Sequence, residues 1–330
     1  MLPLEFIAPL ASQSIVRKGS SARAMTEGLL NLLFAETHLL EWGTGNNDYV
    51  RQQIYSSGGS ILALVTISVT SHTLLQVRCP KGFTALQYTL KNKSFAYLAG
   101  HGNLPLFEYT YTLQYIPEGI HKILLAPGTY QYLYMASAEL LNSLAKHDQN
   151  IQRLVQYQDT TNADGAFAER HPFDGTVNEL LKKLQSIGAS SPQTPFDVSF
   201  LVSSFVLHYY EQLKNNDTSR KGISLKARLN AFLANHIDSA VVDIIQQLRE
   251  NFYINRKPLA TYWKKANAQS PRNSVKSLRM TFALYLLVVE RLPVHEVSKR
   301  LNYSDQFVFS RLFSKYYGVA PRNVLSIITM

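Results

Sequence analysis

The stretch Leu292–Leu325, LPVHEVSKRLNYSDQFVFSRLFSKYYGVAPRNVL, decides the fold of the last third of the chain. It predicts a short supporting helix, a tight turn and a longer helix, because apolar residues recur at helical spacing on both sides of Asn302. Asn302 can adopt the left-handed backbone conformation of a turn. Ser304 or Asp305 caps the helix that follows, and Gly318 ends it. The predicted apolar positions are Val294, Val297 and Leu301 in the first helix and Phe309, Leu312, Phe313 and Tyr316 in the second.

The preceding segment carries a second copy of this unit. At a constant offset, Tyr253 aligns with Tyr303, and Pro271-Arg272-Asn273 aligns with Pro321-Arg322-Asn323. The first copy repeats the apolar spacing at Leu259, Tyr262, Trp263 and Ala266. Two helix-turn-helix units are therefore predicted in the last third of the chain.

A long helix is predicted between the two copies. Ser270 caps it, Pro271 opens it, and it runs to about Arg291, before Pro293. About 20 residues at 1.5 Å each make a rod of roughly 30 Å. Successive major grooves on one face of B-DNA are about 34 Å apart. The chain is thus predicted to place two reading helices, near residues 255–266 and 304–317, in adjacent major grooves.

The outward faces of the two reading helices differ in chemistry. The second mixes side chains that hydrogen-bond base edges with cations that bind phosphate, which is what a major-groove reader needs. The first is rich in cations and poor in directional hydrogen-bonders, so we expect it to grip phosphates more than it reads bases. The predicted DNA-binding residues are Gln306, Phe307, Ser310, Arg311, Ser314 and Lys315 in the second helix and Arg256, Lys257, Ala260, Thr261, Lys264 and Lys265 in the first.

The net charge of +10 is concentrated in this region. Residues 1–222 hold 17 Lys and Arg against 17 Asp and Glu, which leaves 16 basic and 6 acidic residues in 223–330. Such an asymmetry predicts a basic module that meets a polyanion, joined to a neutral module with another task. A helical protein-interaction domain with a solvated basic face is the alternative, and the phased repeat favours DNA.

Composition excludes several classes of protein. The single cysteine, Cys79, excludes an intramolecular disulfide, an all-cysteine zinc site and an iron–sulfur cluster, and it favours a reducing compartment. Met1–Leu10 does not have the pattern of a signal peptide, and the apolar run Ile61–Val69 is too short for a membrane span. We therefore expect a cytoplasmic protein without a membrane segment. A redox sensor at Cys79, beside Arg78 and Lys81, is the alternative to a plain strand-end residue.

The neutral region is predicted to be β-rich, as a sandwich or barrel. From Ser60 to Tyr134, β-branched runs and turn sequences such as Pro80-Lys81-Gly82 indicate antiparallel strands, and Phe107–Tyr115 alternates like one half-buried strand. Ser21–Glu41 is predicted to be helical. A period of 3.6 then predicts amphipathic helices around Leu140–Leu144, Val177–Leu184 and Val198–Tyr209.

These patterns define an α+β chain of two domains. The polar segment KNNDTSRKG, Lys214–Gly222, is typical of a linker. We predict a β-rich effector-binding and dimerisation domain with trailing helices over residues 1–214 and a linker over 215–222. Residues 223–330 are predicted to form an all-α DNA-binding domain, in which a linker helix joins the two helix-turn-helix units.

Two features of the β-rich domain have two interpretations each. Its tyrosines line a pocket for a small apolar or aromatic effector, or they pack the sandwich with their hydroxyls at its surface. The helices at 177–187 and 198–213 pack on their own sheet, or they bind a second subunit in a homodimer. The predicted pocket residues are Tyr97, Tyr109, Tyr111 and Tyr115.

The segment Ser224–Leu325 resembles the DNA-binding domain of the arabinose-regulator (AraC/XylS) family of bacterial transcription factors. Leu292–Leu325 is similar to that family's second helix-turn-helix signature almost throughout, and Leu248–Pro271 matches the first unit more loosely. The resemblance implies seven helices, gene regulation, and an N-terminal domain for effector binding, dimerisation or both. Phe307, Val308 and Thr261 depart from the residues common in the family, so base preferences do not transfer from relatives.

The sequence therefore predicts a sequence-specific transcription regulator, a ligand-responsive activator. The expected partners are double-stranded DNA, a small-molecule effector, a second copy of the chain and RNA polymerase. An architectural DNA binder without an effector and an enzyme tethered to DNA are the alternatives. No arrangement of nucleophile, base and orienting acid is visible. The nine histidines lack metal-ligand spacing, so no enzyme activity, metal or cofactor is predicted.

Overall fold

Strands fill the first part of the chain from Glu5 onward, well before the predicted start at Ser60. The computed structural model describes residues 4–9, 15–18, 29–42, 48–188, 191–214, 223–251 and 270–329. The strands are β1 (Glu5–Ile7), β2 (Ile15–Lys18), β3 (Glu36–Trp42), β4 (Asp48–Ser57), β5 (Ser60–Val69), β6 (His72–Cys79), β7 (Phe83–Lys91), β8 (Lys93–Leu98), β9 (Gly102–Phe107), β10 (Thr110–Ile116), β11 (Gly119–Leu125), β12 (Gly128–Ser137), β13 (Ala166–Phe167), β14 (His171–Pro172) and β15 (Ile328–Thr329).

The helices cluster after the sheets. They are α1 (Ala138–Leu144), α2 (Gln149–Asp159), α3 (Gly175–Ser186), α4 (Thr194–Lys214), α5 (Leu225–Asn235), α6 (Val241–Asn251), α7 (Pro271–Val288), α8 (Val294–Arg300) and α9 (Gln306–Tyr317), with a 3₁₀ segment at Pro321–Ile327. The chain divides into two compact units, Met1–Ala231 with Thr329–Met330 and Phe232–Ile328. The α+β class is confirmed, with a β-rich N-terminal region and a helical C-terminal one.

The first unit is built on two antiparallel sheets. The smaller has the strand order β1-β6-β11-β8-β9, and the larger has the order β13-β10-β7-β12-β5-β4-β3-β2, with β14 also on β10. One core cluster lies between the sheets and contains Trp42, Ile67 and Leu125. A second cluster joins the larger sheet to α1, α3 and α4 through residues such as Leu86 and Phe205. The larger sheet is therefore covered on both faces.

This double coverage corrects the prediction of a half-buried strand at Phe107–Tyr115. Every residue of β10 is buried, although polar and apolar side chains alternate along it. Tyr111 and Leu113 pack toward the helices, whereas Gln114 lies on the side of the smaller sheet. The alternation places apolar side chains against the helices and polar side chains toward the smaller sheet. Both faces of this strand lie in the protein interior.

Phe107–Tyr115 is also not one strand. β9 ends at Phe107, and the chain crosses from the smaller to the larger sheet through Glu108 and Tyr109. Tyr109 has the left-handed φ of 62°, and its N–H donates to the Thr89 carbonyl over 2.7 Å. Lys226, in α5, lies on this turn, with Nζ 2.8 Å from Glu108 Oε1 and 4.8 Å from the centre of the Tyr109 ring. No glycine or proline marks the turn, so the sequence pattern missed it.

The predicted helix at Ser21–Glu41 is wrong over the described residues 29–41. Glu36–Trp42 is β3, and residues 29–35 are not helical. Gln131 donates to the Leu30 carbonyl (2.9 Å) and accepts from the Leu30 N–H (3.0 Å), and Gln53 pairs with Leu32 in the same way (2.9 and 3.3 Å). Two buried glutamine amides thus replace the hydrogen bonds that a helix would have supplied. Residues 19–28 lie outside the described residues.

The three predicted amphipathic helices are confirmed as α1, α3 and α4, and α2 was missed. The sequence does contain helix signals for α2. Asp148 is an N-cap that accepts hydrogen bonds from the N–H groups of Asn150 and Ile151, and the apolar residues Ile151 and Leu154 are buried one turn apart. The predicted linker at 215–222 lies outside the described residues. None of the helices described is long and apolar enough to cross a membrane.

Candidate nucleic-acid interface

The second helix-turn-helix unit forms through the local signals that its sequence predicts. α8 ends at Arg300, Asn302 takes the left-handed φ of 51°, and the Tyr303 N–H donates to the Ser298 carbonyl over 2.9 Å. Of the two candidate caps, Asp305 is the one used, and it accepts from the N–H groups of Phe307 and Val308 at 2.7 and 2.8 Å. Gly318 ends α9 with a φ of 75°. The turn geometry is therefore fixed by backbone and cap, independently of any ligand.

The inner side of α9 differs in part from the prediction. Phe309 and Phe313 are fully buried, but Leu312 and Tyr316 are 43% and 49% exposed. Tyr317 packs its ring against Phe313 at 4.7 Å. The buried stripe therefore runs along Phe309, Phe313 and Tyr317, since the helix is rotated away from the predicted orientation and leaves an apolar flank in solvent.

The outer side of α9 carries the predicted readers. Phe307, Arg311 and Lys315 are exposed and lie one turn apart, and Phe307 is 71% exposed. Gln306, Ser310 and Ser314 flank this row and are partly buried. One helix face thus combines a guanidinium, an ammonium, an amide, two hydroxyls and an apolar ring. These groups match the donors, acceptors and methyl groups of a major groove.

Arg279 of α7 holds the turn from the inside. It is 1% exposed, it donates a hydrogen bond to the Leu301 carbonyl, and its guanidinium lies 5.8 Å from the centre of the Tyr303 ring. Burial lowers the pKa of Arg279, and the neighbouring Tyr303 acts against that shift. Arg300 of α8 binds Glu290 (2.8 Å). The turn is therefore held by Arg279 of α7, and the end of α8 is held by Glu290, two residues after α7 ends. Sequence reasoning did not single out Arg279.

α7 begins as predicted and ends earlier. Ser270 accepts from the Asn273 N–H (3.3 Å), and Pro271 is the first helical residue. The helix stops at Val288, three residues before the predicted end at Arg291, which has a left-handed φ of 54°. Its 18 residues make a rod of about 27 Å. The predicted first reader, with Arg256, Lys257, Ala260, Thr261, Lys264 and Lys265, lies outside the described residues.

A cavity lies between the two sheets of the first unit. The space inside it that water-sized groups can occupy is about 60 Å³, and it is continuous with solvent. Its walls are mostly apolar side chains of both sheets, including Ile67, Leu104 and Ile123. Of the predicted pocket residues, only Tyr97 contributes to this wall. The polar or aromatic members are Phe6, Tyr97, Gln114, His121, Lys122, Tyr132 and Tyr134.

The polar groups of this wall differ in how they are paired. Tyr132 shares a hydrogen bond with Ser94 (2.7 Å). The two ring nitrogens of His121 lie 2.8 Å from the Pro117 carbonyl oxygen and 3.4 Å from the Ala99 N–H nitrogen, and burial lowers the His121 pKa, which favours the neutral ring. Gln114 is 2% exposed, and its Oε1 accepts no hydrogen bond from the part of the chain that the structure describes. The wall therefore presents one unused acceptor in an apolar setting.

The other predicted pocket tyrosines are placed elsewhere. Tyr111 is buried against the helices and stacks on Tyr88 with ring centres 4.8 Å apart. Tyr115 donates to the Asn162 carbonyl (2.9 Å), and Tyr109 forms the crossing turn. These three side chains pack the fold, but Tyr111 and Tyr115 are buried, so their hydroxyls do not lie at the surface of the sandwich as the packing interpretation expected.

Cys79 is a structural thiol. It is 1% exposed, and its Sγ donates to the Lys81 carbonyl over 3.1 Å. Burial raises the pKa of the Cys79 thiol to about 12. A thiol that stays protonated is a poor nucleophile, so the redox alternative is not supported. Within the described ranges, no group of three or more His, Cys, Asp and Glu is placed to hold a metal ion.

The fold and the α8–α9 unit define a helix-turn-helix protein. No protein-family model matches the sequence. The chain is 26% identical over 149 residues to the HTH-type transcriptional activator RhaS of Mannheimia succiniciproducens (45% of this chain, 53% of that protein). It is 27% identical over 145 residues to the Msm operon regulatory protein of Streptococcus mutans (44% and 45%). It spans about half the length of these two relatives.

Two solved structures align over most of the chain. The AraC-like transcriptional activator CuxR aligns with 82% of this chain and 95% of its own, at 10% identity and a TM-score of 0.33. Fatty-acid-bound ToxT from Vibrio cholerae aligns with 83% and 98%, at 14% identity and a TM-score of 0.30. The two curated relatives are AraC-family regulators, which agrees with the resemblance to that family found in the sequence.

Proposed function

We propose that this chain is a sequence-specific transcription regulator, an activator that reads DNA through residues 223–330. The observation that carries the proposal is the outer side of α9, where Phe307, Arg311 and Lys315 stand exposed on a helix fixed by the Asp305 cap and by Arg279. A rigid helix with base-reading and phosphate-binding groups on one side is suited to a major groove. The two curated relatives are regulators of transcription and not enzymes, which supports this class over a tethered enzyme.

The two-groove mode of binding extends this proposal. α7 is about 27 Å long and lies between the two predicted helix-turn-helix copies in the sequence. This length is close to the roughly 34 Å between successive major grooves. We assign base recognition (reading) to α9 and phosphate binding (gripping) to the first helix-turn-helix copy. Two chains joined as a homodimer would then contact two such sites.

The cavity between the sheets supports a ligand-responsive regulator over an architectural DNA binder. Its walls are apolar, and Gln114 offers a buried acceptor without a partner. A small apolar or aromatic molecule with one hydroxyl or N–H donor satisfies both features. Tyr97 remains in the proposed pocket, whereas Tyr109, Tyr111 and Tyr115 do not line it.

Substitution of Arg311 tests the reading role. An arginine on this face can bind guanine through two hydrogen bonds, worth roughly 1–3 kcal/mol of discrimination. Arg311→Ala should therefore relax base choice at one or two positions of a motif selected from random duplexes by the full chain. Arg311→Lys keeps the charge but loses the paired geometry, so it should retain affinity better than Arg311→Ala and still relax the motif.

Two results would contradict the proposal. A wild-type chain that enriches no motif is not a sequence-specific regulator, and this outcome favours the architectural alternative. A wild-type motif that survives unchanged in both Arg311 variants removes α9 from base reading. Circular dichroism of each variant serves as the folding control, because Arg311 is exposed.

A further inference from the structure

Phe307 stands apart from the aromatic core of its own helix. Its side chain is 71% exposed, whereas Phe309 and Phe313 are fully buried. The inner rings of α9 pack on one another, with ring centres 5.7 Å apart for Phe309 and Phe313 and 4.7 Å apart for Phe313 and Tyr317. Single exposed apolar residues are common on protein surfaces. The position of Phe307 on the helix, and not its exposure alone, therefore gives it a role.

That position is the first turn of the reading helix. Asp305 is the N-cap, so Phe307 is the second helical residue, and its N–H donates to Asp305 Oδ1 over 2.7 Å. This bond fixes the backbone from which the ring projects. When a helix lies in a major groove, its N-terminal residues contact the base edges. We therefore expect Phe307 to meet bases and not phosphates, for which it has no binding group.

The phenyl ring of Phe307 suits only one group of a major-groove edge. A ring packed on the acceptors of guanine, or on the amino groups of adenine and cytosine, removes their water without replacing its hydrogen bonds. The apolar group of that groove is the 5-methyl group of thymine. Phe307 thus favours thymine through contact and disfavours the other bases through desolvation.

We propose that Phe307 packs on the 5-methyl group of one thymine in the DNA site and makes binding depend on that methyl group. The inference rests on the proposed function and names a chemical group that it does not assign. Phe307 departs from the residues common in the family, so this contact belongs to this chain and not to its relatives. A 5-methylcytosine at the same place carries the same methyl group, and the chain should distinguish it from cytosine.

Arg311 gives the place of this thymine in the site. It lies four residues after Phe307 on α9, which is about 6 Å along the axis at 1.5 Å per residue. Successive base pairs are about 3.4 Å apart. A helix that follows the groove therefore places the thymine about two base pairs from the guanine expected at Arg311.

Removal of single methyl groups from the DNA tests the inference. Each thymine of the motif selected by the full chain is replaced, one at a time, with deoxyuridine, which lacks only the 5-methyl group. At one thymine, wild type should bind the deoxyuridine duplex roughly three- to fivefold more weakly, the loss expected for one apolar carbon. Phe307→Ala should bind both duplexes equally. Fluorescence anisotropy at constant salt measures the affinities.

Two variants control for the removal of an apolar side chain. Phe307→Leu stays apolar and should keep a preference for thymine over deoxyuridine. Leu325→Ala removes a side chain of the same unit that is 54% exposed in the 3₁₀ segment, and it should keep the wild-type ratio. Circular dichroism shows whether each variant is folded. A ratio lost equally in Leu325→Ala and Phe307→Ala overturns the proposal.

Methylated cytosine gives an independent measurement of the same contact. A cytosine–guanine pair is placed at the sensitive position, with and without the 5-methyl group on cytosine. Wild type should bind the methylated duplex more tightly by about the same factor, and Phe307→Ala should bind the two duplexes equally. Equal binding of both duplexes by wild type overturns the contact.

The outcomes separate this inference from the proposed function. A wild-type chain that selects no motif refutes the sequence-specific regulator, and the Phe307 contact falls with it. A motif in which every deoxyuridine is tolerated overturns the contact and leaves the regulator standing. The same holds for a thymine that stays equally sensitive in Phe307→Ala, because another residue then reads its methyl group.

Discussion

Asp174 joins two helices of the first unit through one carboxylate. Its Oδ1 caps α3 by accepting from the Val177 N–H (2.9 Å), and its Oδ2 binds Nε2 of His208 in α4 (2.9 Å). Burial raises the Asp174 pKa, but the hydrogen bonds from His208, Val177 and Thr176 outweigh burial and leave the pKa below its usual 3.8. The ionised form is therefore the one that the fold stabilises.

This shift predicts how the free energy of unfolding depends on pH. A carboxyl whose pKa is lower in the folded state contributes stability that is present above pH 3.8 and is lost as pH falls through the folded pKa. Asp174→Asn should lower the free energy of unfolding at pH 7, and the deficit relative to wild type should shrink below about pH 4. Urea unfolding of wild type and Asp174→Asn at several pH values from 7 to 3 measures the difference in the free energy of unfolding.

Asp159→Asn is the control, because Asp159 is exposed at the end of α2 and caps no helix. A deficit for Asp174→Asn that stays constant down to pH 3 would show that the carboxylate charge does not matter to this contact.

At the scale of the element, local signals were sufficient for α8 and α9. Asn302, Asp305 and Gly318 each take the conformation that their residue type favours, so the helix ends could be read without a partner segment. The same holds for the start of α7 at Ser270 and Pro271. These features depend on residues that are close in sequence, so a local sequence pattern is sufficient to predict them.

The elements that were missed depend on distant partners. Residues 29–35 are not helical, and Gln53 and Gln131, which lie 21 and 101 positions from Leu32 and Leu30, supply backbone hydrogen bonds there. β10 looks half-buried because both of its faces are interior, and only the sheet order shows this. The predicted pocket tyrosines are separated for the same reason, since Tyr111 and Tyr115 lie on the helix side of the sheet and Gln114 lies on the other side. A local sequence pattern does not show which face of a strand packs against the helices and which packs against the other sheet.

The cavity between the two sheets gives a prediction at this scale. 4-Ethylphenol has an apolar ring and one hydroxyl donor, and ethylbenzene lacks the donor. We expect the full chain to bind 4-ethylphenol more tightly, and Gln114→Leu to weaken that binding by roughly 1 kcal/mol, about fivefold in Kd. Titration calorimetry compares both compounds on both proteins.

Gln76→Leu is the matched variant, because Gln76 is an exposed glutamine on β6. If Gln114→Leu binds 4-ethylphenol as tightly as wild type while ethylbenzene also binds, the Gln114 acceptor plays no part in recognition and the cavity is a plain apolar space.

At the scale of the whole molecule, charge divides the chain by task. Residues 1–222 carry no net charge, and residues 223–330 carry all of the excess of +10. The neutral part contains the cavity, and the basic part contains α9. Under the proposed function, self-association through the neutral part would not be opposed by the charge that attracts DNA.

The salt dependence of DNA binding tests this division. Lys264 and Lys265 end the predicted gripping helix, so replacing both with alanine should weaken binding to all sequences about equally. It should also reduce the slope of log affinity against log salt by about 2, since each phosphate contact contributes roughly 0.9.

The matched control is Lys182→Ala with Lys183→Ala, an exposed pair on α3 of the neutral unit, which removes the same charge. A slope that falls equally in both double variants would mean that net charge alone, and not placed phosphate contacts, drives binding. A selected base motif that changes in the Lys264/Lys265 variant would mean that the first copy reads bases, and the assignment of reading to α9 and gripping to the first copy would be reversed.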